Sequence, residues 1–277
     1  MEGDPALREW VAEVERPERE IDLGRAALVL ARAEYPDLDI DRYCRRLDGI
    51  AAEVAAGCRR CTDLHLLHRL REHLFAELGF RGNRHDYFDP RNSFLNDVLD
   101  RRLGIPITLS LVLMEVGRTL GLRMAGIGLP GHFVTGVTLG EERILLDPFH
   151  GGSILTPEAC AELAARAVGH PVDLTEADFA PVTGRQFLAR MLRNLKALYW
   201  RREEWEKAVG IVDRLLALEP AAGAEWRDRG IALARLGDFR RGLADWERYL
   251  TDFPNAPDGE KVRDQLRRVR EKLAQLN

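Results

Sequence analysis

Residues 104 to 152 read GIPITLSLVLMEVGRTLGLRMAGIGLPGHFVTGVTLGEERILLDPFHGG. The opening run is apolar on nearly every side and starts with Pro106, whose fixed φ and missing N–H suit the first position of a helix. A helix without a polar face is a buried one. The texture then changes. Residues 122–128, 132–139 and 142–147 carry Ile, Val, Phe, Thr and Leu between glycine-rich breaks, and the LGEE between the last two reads as a hairpin turn. These are the only convincing strands, and a small antiparallel sheet on a buried helix predicts an α+β fold that is predominantly helical.

Upstream, from about Leu23 to Leu78, apolar residues recur at three- and four-residue steps (Ala26, Ala27, Val29, Leu30; Leu47, Ile50, Ala51, Val54; Leu64, Leu67, Leu70, Leu74). That is the period of amphipathic helices. YPDLD at 35–39 breaks the first pair, with Asp41 available as a cap. GFRGNRHDYFDPRNS, 79–93, is a long turn-rich loop, and SFLNDVLDRRLG after it reads as a short helix capped by Ser93 and stopped by Gly104. Downstream of the strands, Thr156 to Ala167 resumes as helix, with the domain closing near Pro181.

The C-terminal part repeats. EKAVGIVDRLLALEP (206–220) aligns with RRGLADWERYLTDFP (240–254) at an offset of 34 residues, the tetratricopeptide period. Trp226 and Gly230 fill two repeat positions in one copy, Leu195 and Tyr199 two others in the first. GEKVRDQLRRVREKLAQLN at the end suits a capping helix. The expected organisation is a helical block over 1–78, a core over 79–182 packed with it as one domain, and repeat helices over 183–277.

Composition narrows the function classes. The 277 residues hold 41 Lys plus Arg against 45 Asp plus Glu, so no basic excess advertises a nucleic-acid surface. The acidic, proline-broken start lacks the features of a signal peptide, and the longest apolar run is too short to cross a bilayer. A cytoplasmic protein with no membrane partner is expected. Four cysteines (Cys44, Cys58, Cys61, Cys160) do not suggest a disulfide framework.

His132 and Asp147 sit at the ends of two strands that should be neighbours. An Asp that orients and charges a His is the supporting half of a nucleophile–His–Asp triad, and equally a pair that simply holds a sheet together. The helix, the GH strand and the DP strand, in that order, resemble the transglutaminase-like core of the cysteine-protease fold. With FRGNRHDYFDPRNSFLNDVLDRRLGIP ahead of them, they are similar to the SirB-type proteins, bacterial transglutaminase-like proteins with C-terminal tetratricopeptide helices. A related domain occurs in a eukaryotic F-box protein. In active relatives the resemblance implies a cysteine opening the buried helix. Here that position falls on Pro106, which has no nucleophile. Thr108 and Ser110 lie nearby, but Ser110 is one turn deeper on the same face, and packing or back-bonding to a helix carbonyl suits it better than attack.

Three further groups carry potential chemistry. Cys58, Cys61, His65 and His68 share one helical face, a stripe too long for four zinc ligands on one straight helix; no metal site and no cofactor are expected. The loop side chains Asn83, His85, Asp86, Tyr87, Asp89, Arg91, Asn92, Ser93 and Asn96 either line a cleft beside His132 or satisfy their own backbone. Arg91 and Arg102 are the natural anchors for an acidic group. The repeats offer a concave surface for a peptide, or a structural cap. The expected function is therefore a non-catalytic binding or regulatory protein with a protein or peptide partner. Its cleft is His132, Asp147, Asn83, Asp86, Tyr87, Arg91, Asn92, Asn96 and Ser110, and its oligomeric state is left open. The alternative is an acyl-transfer or amide-hydrolysing enzyme with an atypical nucleophile.

Overall fold

The structure, a computed structural model, describes residues 4–58 and 61–276. Helices are α1 (Pro5–Val14), α2 (Leu23–Ala31), α3 (Ile40–Ala56) and α4 (Asp63–Arg71), the last running into a π-helical turn over Glu72–Glu77. Then come β1 (Arg81–Gly82), α5 (Leu95–Arg101), β2 (Leu103–Gly104), α6 (Pro106–Thr119), β3 (Arg123–Leu129), β4 (His132–Leu139), β5 (Glu142–Asp147), β6 (Ser153–Leu155) and α7 (Pro157–Val168). The chain ends in α8 (Gly184–Arg201), α9 (Trp205–Leu218), α10 (Gly223–Arg235), α11 (Phe239–Asp252) and α12 (Gly259–Leu276). No described helix is long and apolar enough to cross a membrane. The fold is the helix-rich α+β arrangement expected.

The residues fall into two units, 16–191 and a second made of 1–15 with 192–277. Helix α1 is thus grouped with the residues after 191. The reason is Trp10: its indole is fully buried, and its Nε1 donates to the Arg214 carbonyl of α9 at 3.0 Å. A bare apolar period cannot tell which neighbour a helix will choose.

In the unit of residues 16–191, β3, β4, β5 and β6 form one antiparallel sheet in that order. β6 is an addition to the three strands expected; three residues between glycines give too little alternation to read. The parallel contact of β1 with β2, Arg81 opposite Leu103, was likewise invisible. One face of the sheet buries Ile127, Leu129, Val134 and Leu145 against Cys160 of α7. α6 starts at Pro106 as expected and is buried almost throughout. It lies close to β3 because Gly117 has no side chain: a Cβ there would come within 2.0 Å of the Met124 sulfur.

Several caps differ from expectation. Asp39 accepts from the Arg42 N–H and starts α3, while Asp41 pairs with Arg25 at 3.1 Å. Ser93 does not cap α5, whose N-cap is Phe94, and α5 stops at Arg102 in the left-handed region (φ 60°) rather than at Gly104. Cys58 and Cys61 are joined as a disulfide after α3 and before the Thr62 cap of α4. They therefore do not share one helical face with His65 and His68, and one pair of the four cysteines is bonded where no disulfide framework was expected.

In the other unit, α9 and α11 begin and end 34 residues apart, the offset read from the sequence. α10 and α11 meet at Gly230 and Gly242: a Cβ on Gly230 would lie 2.4 Å from the Trp246 Nε1 and 3.0 Å from the Gly242 carbonyl. Position 229, which matches Leu195 in the first copy, holds Arg229 instead, bonded to Asp245 of α11 at 2.7 Å and reaching Asp213 of α9. The degeneracy of the repeat thus has a physical content, an ion-paired position in place of an apolar one.

Two predictions follow from this packing. Gly230→Ala overpacks the α10–α11 contact and is expected to cost about 1–3 kcal/mol in urea denaturation. Gly210→Ala, whose methyl would meet only the Arg214 guanidinium at 3.6 Å, is expected to be neutral or to gain up to about 1 kcal/mol. Glu115 in α6 is buried, and burial pushes its carboxyl up, opposed by the bond from Arg118 and the Gly24 N–H. A raised folded value means that this group favours the fold at low pH and that the contribution is lost as pH rises through that value. Glu115→Gln should therefore melt higher than the wild type at neutral pH, with the gap closing toward about pH 4; an equal gap at every pH would contradict it.

Candidate functional site

Two turns build the site. Pro130 and Gly131, the latter at φ 65°, reverse the chain between β3 and β4 and set His132 at the start of β4, opposite Leu129. Asp147 ends β5 and caps the turn Pro148–His150, its Oδ1 accepting from the N–H groups of Phe149 (3.0 Å) and His150 (3.3 Å). Its Oδ2 meets His132 Nε2 at 3.0 Å and His150 Nδ1 at 2.6 Å. Asp147 is wholly buried and His132 nearly so, while His150 is partly exposed. Burial alone would raise the Asp147 carboxyl; the bonds and charges of His132 and His150 outweigh it and hold it below the usual range. Use of Nε2 leaves Nδ1 as the basic atom of His132.

No hydroxyl or thiol among the described residues is bonded to that imidazole. Pro106 opens α6. Thr108 is consumed by capping: its Oγ1 donates to the Asn92 carbonyl at 2.7 Å and accepts from the Ile105 N–H at 3.1 Å. Ser110 is fully buried with an Oγ that has no partner, so it is packed rather than back-bonded. The Cys160 thiol, also fully buried, is pushed up to about 11 by burial and by the nearby Asp147 and Glu158 charges. It stays protonated, and Cys58 and Cys61 are spent on each other.

The loop separates into two groups. Asn83 and Asn92 are buried and bonded inward: Asn83 Nδ2 donates to Asn92 Oδ1 at 3.0 Å, and Asn92 Nδ2 donates to the carbonyls of Asp86 (2.7 Å) and Tyr87 (3.2 Å). Asp86 joins through its N–H to Asn83 Oδ1. Arg91 folds back on Asp89, which Arg101 also contacts at 3.0 Å, and so holds the loop rather than standing free. Asn96, on α5, is buried with an unpartnered Oδ1. Tyr87 is different. Its ring is 40% exposed and meets Phe149 edge-on at 6.0 Å, and Phe149 in turn meets His132 at 6.2 Å. Tyr87 is thus linked through ring contacts to the His–Asp pair, and Phe88 meets Tyr87 in turn at 5.4 Å.

Two residues escaped the sequence reading. His150 stands three positions after Asp147, and a turn capped by that aspartate is the signal that could have revealed it. Arg190 comes from α8, 58 residues after His132, with no local signal. Its Nη2 donates to the carbonyls of His132 (2.6 Å) and Leu129 (2.7 Å), and its guanidinium lies over the Phe133 ring at 5.3 Å. Burial lowers its pKa, with only Tyr87 opposing. Beside the His150 turn, a cleft of about 420 Å³ is lined by His68, Arg71, Glu72, Phe75, Ala76 and Gly151. Arg71 Nε donates to the Gly152 carbonyl at 2.7 Å, tying α4 to the turn.

Comparison with known proteins agrees with this architecture. A model of the transglutaminase-like superfamily matches residues 41–193, and a tetratricopeptide-repeat model matches 195–267. The UPF0162 protein of Xylella fastidiosa strain Temecula1 is 36% identical over 89% of each chain. That of Vibrio cholerae is 33% identical over 69% of this chain and 71% of its own. Human F-box only protein 21 is 32% identical over 53% of this chain but only 24% of its own. No solved structure matches. With the helix, GH and DP segments in the expected order and the repeats behind them, the chain belongs to the UPF0162 (SirB-type) family of transglutaminase-like proteins with tetratricopeptide repeats.

Proposed function

We propose that this protein binds a protein or peptide segment without covalent chemistry, through the cleft around His132, Asp147 and Tyr87, and that the repeat helices offer it a second binding surface. The observation that carries this reading is Pro106. The helix that should deliver a nucleophile starts with a residue that has none, while the acid–base half of the site is fully formed. A His–Asp pair without a nucleophile still offers a hydrogen-bonding, partly charged floor, and the exposed Tyr87, in ring contact with the half-buried Phe149, supplies apolar contact beside it. In the repeats, the half-buried Trp226 ring carries the guanidinium groups of Arg248 (3.8 Å) and Arg229 (4.7 Å), themselves paired with Asp252 and with Asp213 and Asp245, a mixed aromatic and ion-paired surface that a peptide could meet.

The competing reading is acyl transfer or amide hydrolysis with His132 as base and Asp147 as orienter. The observation in its favour is the orphaned hydroxyl of Ser110. Treating the protein with a fluorophosphonate and with iodoacetamide separates the two. The binding reading expects no stoichiometric adduct whose formation depends on His132; one adduct on Ser110 that disappears in His132→Ala would establish the enzyme.

Peptides selected against the protein by phage display give the second check. Tyr87→Ala is expected to weaken cleft-directed peptides by about 10-fold or more, as loss of an aromatic anchor does, with an unchanged melting temperature. Selected peptides that bind Tyr87→Ala and His132→Ala as well as the wild type would remove the cleft from the account.

A further inference from the structure

We propose that His132, Asp147 and His150 form a binding site for one divalent transition-metal ion, with zinc the best match. One donor atom from each of the three residues lies within 4.8 Å of the other two, and His132 Nε2 and His150 Nδ1 both reach Asp147 Oδ2. Two of the three edges are 3.0 and 2.6 Å. A zinc ion bonded to all three at about 2.0–2.2 Å needs edges of roughly 3.3–3.5 Å, within reach of small side-chain rotations. Two imidazole N–H groups now converge on a single carboxylate oxygen. One cation between the three donors relieves the crowding once each ring carries its proton on the other nitrogen, Nδ1 of His132 and Nε2 of His150.

The surroundings are those of a supported ligand. Asp147 Oδ1 is held by the N–H groups of Phe149 and His150, so the carboxylate is fixed with Oδ2 facing the imidazoles. Such outer bonds are what orient metal ligands. Two nitrogens and one oxygen select zinc, cobalt, nickel or copper over magnesium or calcium, which take oxygen donors. Three protein ligands leave one coordination position free, as in zinc sites that bind a water or substrate. His150 is the partly exposed member and gives an ion its way in. The inference also supplies a reason for the His–Asp pair in a site without a nucleophile: a bound ion would offer its free coordination position to the carbonyl or carboxylate oxygen of a peptide.

The inference extends the binding reading but fails separately from it, because a metal-free cleft can still take a peptide. The test uses the full chain, stripped with a chelator under oxidising conditions that keep the Cys58–Cys61 disulfide. Zn²⁺ is titrated by calorimetry and Co²⁺ by visible absorption. One equivalent of each is expected, with the Co²⁺ spectrum displaced by Zn²⁺. His150→Ala, an exposed-side change that should leave the circular dichroism spectrum intact, is expected to lose affinity by about 100-fold or more. His68→Ala is expected to bind like the wild type. No binding by the wild type, or equal binding by the wild type and His150→Ala, would overturn the site; loss in His68→Ala with retention in His150→Ala would do so too.

Discussion

One carboxylate organises the centre of the unit spanning residues 16–191. Asp147 is wholly buried, and each of its oxygens is used twice, Oδ1 by two backbone N–H groups and Oδ2 by two imidazoles. A buried carboxylate without partners would cost several kcal/mol, so the chain has to bring hydrogen-bond donors to it, most of them from the turn that follows. That requirement explains the local sequence: Pro148 to start a tight turn, His150 at the third position, and Gly151 at φ 72° to release the chain. It also fixes where His132 stands, and hence the registration of β4 against β5.

The same centre gives the His132–Asp147 pair a role in the fold that needs no nucleophile. Had the pair served only catalysis, nothing in the fold would hold it together once α6 began with Pro106. Here the pair is also the anchor of the β5 turn, and Arg190 secures His132 from behind through two backbone carbonyls. Structural and chemical roles rest on the same atoms.

Much of this was legible in the sequence because the signals are local and periodic. The buried α6, three strands of the sheet and the 34-residue repeat each announce themselves within one window of chain. The His132–Asp147 pair was readable from strand order. What remained hidden depends on partners distant in sequence or on turn chemistry. Trp10 chose α9, Arg190 reached back 58 residues, and β6 is too short to alternate. The loop 79–93 was correctly seen as polar, but composition could not say that Asn83 and Asn92 face inward while Tyr87 faces out. The cysteine pair was misread because a helical period was extended across Cys58 and Cys61, where the helix has already ended.

The bifurcated carboxylate is the claim on which the rest stands, and imidazole nitrogen NMR tests it most directly. In metal-free protein, the account predicts that at neutral or mildly alkaline pH His132 carries its proton on Nε2 and His150 on Nδ1, each in a single tautomer, and that Asp147→Asn disturbs both rings together. His132 protonated on Nδ1, or a His150 ring that exchanges freely between tautomers and ignores the Asp147 substitution, would contradict it.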